Sequence, residues 1–117
     1  MLFRSWLKFD WQTDHAAVNG DLFCVDSLFL PRFEKFSFNT KARSDIYTVE
    51  SPDAIDPVPG AKTILRYAEN RFSAATAYFG SYSVIVFGFP FETIVGEARR
   101  NQVMQAVIAN FKKFSKN

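Results

Sequence analysis

The chain has 117 residues, of which 48% are hydrophobic and 22% charged, and its formal net charge is +2. This composition predicts one globular domain over residues 1–117 and excludes a disordered chain. The near-neutral, scattered charge excludes an electrostatic nucleic-acid binder. A single Cys and a single His exclude an internal disulfide, a cysteine-cluster zinc site and a two-histidine metalloprotease motif. We therefore expect no metal and no cofactor, and no apolar run reaches the roughly 18 residues of a membrane span.

Residues of the N-terminal half predict short elements. The apolar spacing over 2–9 favours a helix, with a strand as the alternative. Residues 13–20 predict a single helical turn, because Thr or Asp can cap it and Asn-Gly can end it. The apolar run 22–25 is typical of a buried strand. Weak alternation over 33–39 predicts a strand with one aromatic face, and the polar residues 39–45 predict a loop.

The second half contains stronger strand patterns. Residues 46–50 are rich in β-branched side chains and predict a strand, whereas three prolines over 51–60 predict a surface loop. Residues 62–67 and 74–78 predict two further strands. A tight turn leads to 83–88, whose apolar residues do not alternate, so we expect a central strand buried on both faces.

The C-terminal segment 96–114 carries apolar residues three and four positions apart, which predicts an amphipathic helix. We expect it to pack on the sheet through Val103, Val107 and Phe111. The order of elements predicts an α/β fold: a mixed, partly antiparallel sheet of about five strands with a C-terminal helix packed on it.

The aromatic content of 17% comes from fourteen Phe, four Tyr and two Trp. Such rings can fill the core of a small domain, because each aromatic side chain buries a large area. They can also form an exposed platform for sugar stacking or for a partner. Composition does not separate these two hypotheses.

Few residues are candidates for a catalytic role. His15 is the one side chain with an ordinary pKa near 7, and Asp14 precedes it; with Glu92 these are the weak catalytic candidates. Cys24 lies in an apolar run and is expected to be buried and inert, although a Cys24/His15/Glu92 triad is an alternative.

The most distinctive motif is Gly88-Phe89-Pro90-Phe91-Glu92. Pro90 stops a strand, and Glu92 precedes a helix whose free N–H groups attract a carboxylate. The motif is either a structural junction or a ligand site formed by Phe89, Phe91 and Glu92.

Residues 82–94 and 99–104 resemble the last strand and helix of class I glutamine-amidotransferase-like domains, in the form found in secreted bacterial xanthan-lyase-like proteins. Segments 11–16, 47–55 and 66–67 are also similar to that group. Family members carry a catalytic His and Glu at the strand end, where only Glu92 corresponds here, and the elbow Cys is missing. The resemblance therefore implies the C-terminal portion of an amidotransferase-like fold that has lost this chemistry.

The resemblance implies a non-catalytic accessory portion of a secreted or periplasmic protein that acts on polysaccharide or cell-wall material. Its expected partners are an upstream domain of the same protein and polysaccharide. One alternative is a carbohydrate-active lyase or hydrolase with Asp14, His15 and Glu92 near one cleft. Another is a protein-interaction module that completes a sheet. An incomplete domain would expose apolar surface and form a homodimer; the rings expected there are Phe29, Phe33, Phe36 and Phe38.

Overall fold

The computed structural model describes residues 3–31, 34–41 and 47–114, and of Phe3 and Arg4 only the backbone. The elements in chain order are a π-helical turn at Phe3–Leu7, β1 Phe9–Thr13, β2 Asp21–Cys24, β3 Lys35–Ser37, β4 Ala54–Pro57, β5 Lys62–Tyr67, β6 Ser73–Phe79, β7 Ser83–Phe87, a 3₁₀ turn at Phe91–Thr93, and α1 Glu97–Lys113. Strands β1 and β4 pair as a two-stranded ribbon, and the others form a sheet in the order β3-β2-β5-β6-β7. Every pairing is antiparallel.

The predicted class, an α/β fold with a sheet of about five strands and a C-terminal helix, is confirmed. The expected strands at 22–25, 62–67 and 74–78 correspond to β2, β5 and β6. Within 33–39, the described strand β3 is shorter than expected. Among the described residues no helix is long and apolar enough to cross a bilayer.

The prediction that 83–88 is a central strand was wrong in position. Strand β7 lies at the edge of the sheet, and all five of its residues are only partly buried. Its neighbour β6 is buried at every residue from Ser73 to Ala77. The small side chains of β6 let the ribbon and the core approach it closely, whereas the bulky β7 residues occupy the rim.

The described part of segment 2–9 is mainly a helical turn, and the strand alternative applies only from Phe9 onward. A helical turn ends at Leu7, and β1 begins at Phe9 after Lys8, whose φ of 66° is left-handed. The helical turn expected over 13–20 is absent from these described residues, because Thr13 ends β1 and residues 14–20 are irregular. His15 has a φ of 49°, which a right-handed helix does not accommodate.

Two expectations for 46–60 were also wrong. Residues 47–50 form no strand, because their described backbone contact is to a loop: the Val49 N–H donates to the carbonyl of Asn39 at 3.0 Å. Ile46 lies outside the described residues. The expected loop 51–60 contains β4, which pairs with β1 and buries Ala54 and Ile55. Burial of these two residues outweighs the effect of the surrounding prolines.

Helix α1 packs on the rest of the core through Val103 and Val107, as predicted. Phe111 is instead 38% exposed, and Met104 and Ile108 are exposed beside it. The third buried position is Asn110, whose side-chain amide donates to the carbonyls of Leu28 and Ala106. These bonds satisfy the amide inside the core.

The rings expected on an exposed surface lie inside the core. Phe29, Phe36 and Phe38 are buried, and Phe33 lies outside the described residues. Phe38 stacks on Phe89 with 5.0 Å between ring centroids and meets Tyr67 edge-on at 6.2 Å. The aromatic excess of this region therefore fills the core.

Candidate functional site

The Gly-Phe-Pro-Phe-Glu motif forms the junction between β7 and α1. Phe89 is buried against Phe38, and Phe91 is partly buried beside Phe87, with 6.0 Å between centroids. Of the three expected ligand-binding residues, only Glu92 is exposed. Phe89 contributes packing, while Glu92 and part of the Phe91 ring remain accessible at this motif.

Glu92 has one described side-chain partner. The Tyr47 hydroxyl donates to its Oε2 at 2.9 Å. Desolvation, together with the hydrogen bond to Glu92 and its charge, raises the pKa of Tyr47. A phenol with a raised pKa stays protonated near neutral pH and is a poor general base. Tyr47 therefore does not act as the proton acceptor of this pair.

Asp14 and His15 lie on an exposed bend. The His15 N–H donates to Ser51 Oγ at 3.2 Å, and the next residue's N–H donates to the Pro52 carbonyl. Within the described residues, no hydrogen bond or ion pair joins His15 to Glu92. The structure thus ties the bend to residues 51–52, and the cluster of Asp14, His15 and Glu92 stays a prediction.

Cys24 is fully buried, as the sequence predicts. Its Sγ donates to the carbonyls of Asp26 and Leu30 at 3.3 and 3.4 Å. Burial, partly offset by these hydrogen bonds, raises the pKa of the thiol. A buried protonated thiol is a weak nucleophile, which leaves the alternative Cys24/His15/Glu92 triad without support from geometry.

A polar cleft of about 540 Å³ lies beside the ends of β2 and β3. Its walls include Asp21, Ser37, Asn39 and Lys41, with Phe38 among them. None of the predicted site residues lines it. The buried Asn39 amide donates to the Tyr47 carbonyl, so the polar group deepest in this region already has a structural partner.

A second candidate, which we call the aromatic surface, consists of the exposed Trp6 and the partly buried Tyr78 and Tyr82, together with Lys8. The Trp6 side chain is 63% exposed, and its ring lies 6.2 Å from that of Tyr82. Tyr78 lies 5.2 Å from Tyr82. The Lys8 ammonium is 4.8 Å from the Tyr78 centroid and 5.7 Å from that of Tyr82, within cation–π range.

Local structure holds this surface in place. Tyr78 lies one residue before the end of β6, and Tyr82 lies just before β7, in the hairpin where a Cβ on Gly80 would collide with the Tyr78 ring. The Tyr82 hydroxyl donates to the Trp6 carbonyl at 2.8 Å and lies 3.2 Å from that of Ser5. The hairpin therefore anchors the helical turn that carries Trp6.

A further indole is exposed nearby in sequence. Trp11 lies on β1, opposite Ile55 of β4, and is 54% exposed. Its Nε1–H points to Asp53 Oδ1 at 3.4 Å. The sequence signal that could have located the two exposed indoles is the pair Trp6 and Trp11, five positions apart with Lys8 and Asp10 between them. The sequence alone does not show that Tyr78 and Tyr82 join Trp6, because they lie far along the chain.

A scan against protein-family models gave no match to this chain. Searches of curated proteins and of solved structures gave no significant match either. The resemblance to amidotransferase-like domains therefore stays a prediction.

Proposed function

We propose that this chain is a non-catalytic accessory module that binds polysaccharide, in a secreted bacterial protein of the xanthan-lyase-like kind. The observation that carries the proposal is the aromatic surface, and in particular the exposed Trp6 ring held beside Tyr82. The family resemblance points to the same class of ligand. Localisation outside the cytoplasm and an upstream domain belong to the same proposal.

The chemistry of the aromatic surface suits a sugar. A pyranose presents C–H groups on its faces and hydroxyls around its rim, so it stacks on an indole that is open on one side. The Tyr78 and Tyr82 rings extend the apolar area. Lys8 adds a positive charge over these rings, which favours a sugar that carries a carboxylate.

The preorganisation of Trp6 supports binding. Tyr82 fixes the backbone of the Trp6 turn by a hydrogen bond, so ordering the loop costs little when a ligand arrives. The enzyme alternative has no comparable support. Within the described residues no hydrogen bond or ion pair joins His15 to Glu92, and the Tyr47 pKa is raised rather than lowered.

Fluorescence titration can test the proposal. In a Trp11→Phe background, Trp6 is the only indole, and its emission should change when xanthan, an acidic polysaccharide, is added. Trp6→Ala in the wild-type chain should weaken binding about tenfold or more by calorimetry, because a buried Trp contact is typically worth about 2 kcal/mol or more. Lys8→Gln should weaken binding to xanthan and leave binding to neutral dextran unchanged.

The matched control is Tyr47→Ala, which removes another exposed ring, 53% exposed and hydrogen-bonded to Glu92. It should leave the affinity within about twofold. Loss of binding in Tyr47→Ala with full binding in Trp6→Ala would move the ligand site to Glu92 and refute the proposed surface. No binding of either polysaccharide by the folded wild-type chain would refute the function itself.

A further inference from the structure

The two edges of the five-stranded sheet differ in their protection. At the β3 edge, the Val95 N–H donates to the Ser37 carbonyl at 2.8 Å, and the Asn39 N–H donates to the Thr93 carbonyl at 2.8 Å. A bridge between Phe38 and Ile94 lies between these bonds. The chain thus covers this edge with its own segment 93–95. Strand β3 is also short and carries Lys35, which further discourages pairing.

The β7 edge lacks these features. Strand β7 runs in continuous register with β6, without a bulge, and it contains no Pro and no charge. Residues 72–91 of the sequence contain no charged side chain at all. Soluble proteins ordinarily protect an edge strand with charges, Pro or a bulge, because unpaired backbone groups can pair with another chain.

The register shows which β7 groups point outward. The Gly88 N–H donates to the Ala74 carbonyl, and the Gly80 N–H donates to the Tyr82 carbonyl. In an antiparallel ladder hydrogen-bonded pairs alternate, so Val84 and Val86 exchange bonds with β6. The N–H and C=O groups of Ser83, Ile85 and Phe87 therefore point away from β6. Within the described part of the chain, none of these outward groups has a hydrogen-bond partner, and all three residues retain solvent exposure.

We propose that β7 pairs with β7 of a second copy of this chain, in an antiparallel two-fold arrangement centred on Ile85. A second copy of β7 is the expected partner because the outward groups of this strand can pair with themselves. A two-fold axis at Ile85 places Ser83 of each copy opposite Phe87 of the other, so every outward group meets another outward group. A strand without charges brings no like charges together in this register. The two sheets then form one continuous sheet of ten strands.

Because alternate β7 residues point toward β6 or outward, two neighbouring Pro variants separate dimer formation from monomer stability. Ser83→Pro removes an outward N–H at the first residue of the strand, where Pro costs the monomer no ladder bond. Val84→Pro removes an N–H that bonds to β6 and should destabilise the monomer itself. Ser83→Pro should therefore raise the dimer dissociation constant about tenfold or more while leaving the circular dichroism spectrum and the unfolding midpoint nearly unchanged.

Sedimentation velocity of the wild-type chain, from micromolar to millimolar concentration, should show a monomer–dimer equilibrium. Hydrogen exchange on the same samples provides a readout that needs no variant. Amides of Ile85 and Phe87 should become protected as the concentration rises, whereas those of Val84 and Val86 should be protected throughout.

A wild-type monomer over the whole concentration range would overturn the proposal. So would a dimer whose formation leaves exchange at Ile85 and Phe87 unchanged, or one that Ser83→Pro does not weaken, because either result would place the interface elsewhere. None of these measurements involves polysaccharide, so their outcome is independent of the proposed function.

Discussion

Two regions of this molecule use aromatic rings in opposite ways. Between the sheet and the segments that cover it, Phe38 and Phe89 stack with almost no exposed surface. In the aromatic surface, Trp6 and Tyr82 lie at a similar ring separation, but Trp6 keeps most of its area in water. Ring contacts alone therefore do not define a role. Burial decides whether a ring stabilises the fold or stays available to a ligand.

The largest expected effect contrasts these two regions directly. Phe38→Ala removes a ring that is 2% exposed and leaves a cavity between Phe89 and Tyr67, so the free energy of unfolding should fall by about 3–5 kcal/mol. Trp6→Ala removes an exposed ring and should change it by less than about 0.5 kcal/mol. Urea denaturation of both variants at neutral pH measures the difference. Equal losses in the two variants would show that the aromatic surface belongs to the core.

An intermediate effect is expected where the sheet meets the ribbon. The buried Tyr67 hydroxyl donates to the Asp53 carbonyl at 2.5 Å, just before β4. Tyr67→Phe keeps the ring and removes this bond, which should lower the free energy of unfolding by about 1–2 kcal/mol. Denaturation at neutral pH measures the loss. The control is Tyr82→Phe, which removes the hydroxyl of a Tyr that is only partly buried and should therefore cost less. Phe79→Tyr is a poor comparison because it adds a hydroxyl.

Tyr67 also predicts that the free energy of unfolding falls at alkaline pH. Burial, with a smaller contribution from the charge of Asp53, raises the pKa of the Tyr67 phenol far above its ordinary value. A group whose pKa is raised by folding contributes its full stability below the unfolded pKa of about 10 and loses it as the pH rises further. Wild-type stability should therefore fall more steeply above about pH 10 than that of Tyr67→Phe. Parallel pH curves would contradict this assignment.

The smallest effect concerns a partly exposed ion pair at the rim of the core. Lys62 Nζ lies 2.8 Å from Asp26 Oδ2 and 5.7 Å from the Phe79 centroid. Burial raises the pKa of Asp26, but the hydrogen bond from Lys62, the Leu28 amide and the Lys62 charge outweigh it and lower the pKa overall. Lys62→Met keeps the apolar stem beside Phe79 and should cost less than about 1 kcal/mol at neutral pH.

The sign of the pH dependence follows from the lowered pKa of Asp26. The stabilisation is present above the unfolded pKa of about 3.9 and disappears as the pH falls through the lower folded value. The difference between wild type and Lys62→Met should therefore shrink below about pH 4 in thermal melts. Lys112→Met, at an exposed helix position, is the control and should show no such convergence. A difference that persists at low pH would assign the effect to packing.

The strands and the helix could be predicted to different extents. The periodic pattern of 96–114 located α1 within one residue at each end, because an amphipathic helix carries its signal locally. Residues 47–50 have good strand propensity but find no strand partner, and β4 forms among prolines because β1 lies beside it. Strand propensity describes a fit to neighbours, which a local window does not contain.

The candidate site was less accessible to prediction. Trp6 and Lys8 are close in sequence, but Tyr78 and Tyr82 reach them only through the β6–β7 hairpin. The motif with the clearest local pattern, at 88–92, proved to bury Phe89 in the core. A conspicuous sequence feature therefore marked a packing junction, while the exposed rings carried no motif.

The sequence by itself determined the amphipathic helix, the strands β2, β5 and β6, the burial of Cys24 and the α/β class, since each follows from local periodicity or from the solvation of one side chain. Only the tertiary structure decided that β7 lies at an edge, that Asn110 replaces Phe111 at the core, and that Trp6 joins Tyr78 and Tyr82. The physical reason is common to all three: strand order, partner surfaces and ring contacts depend on residues far apart in the chain, and closing such long loops depends on the free energy of the whole core.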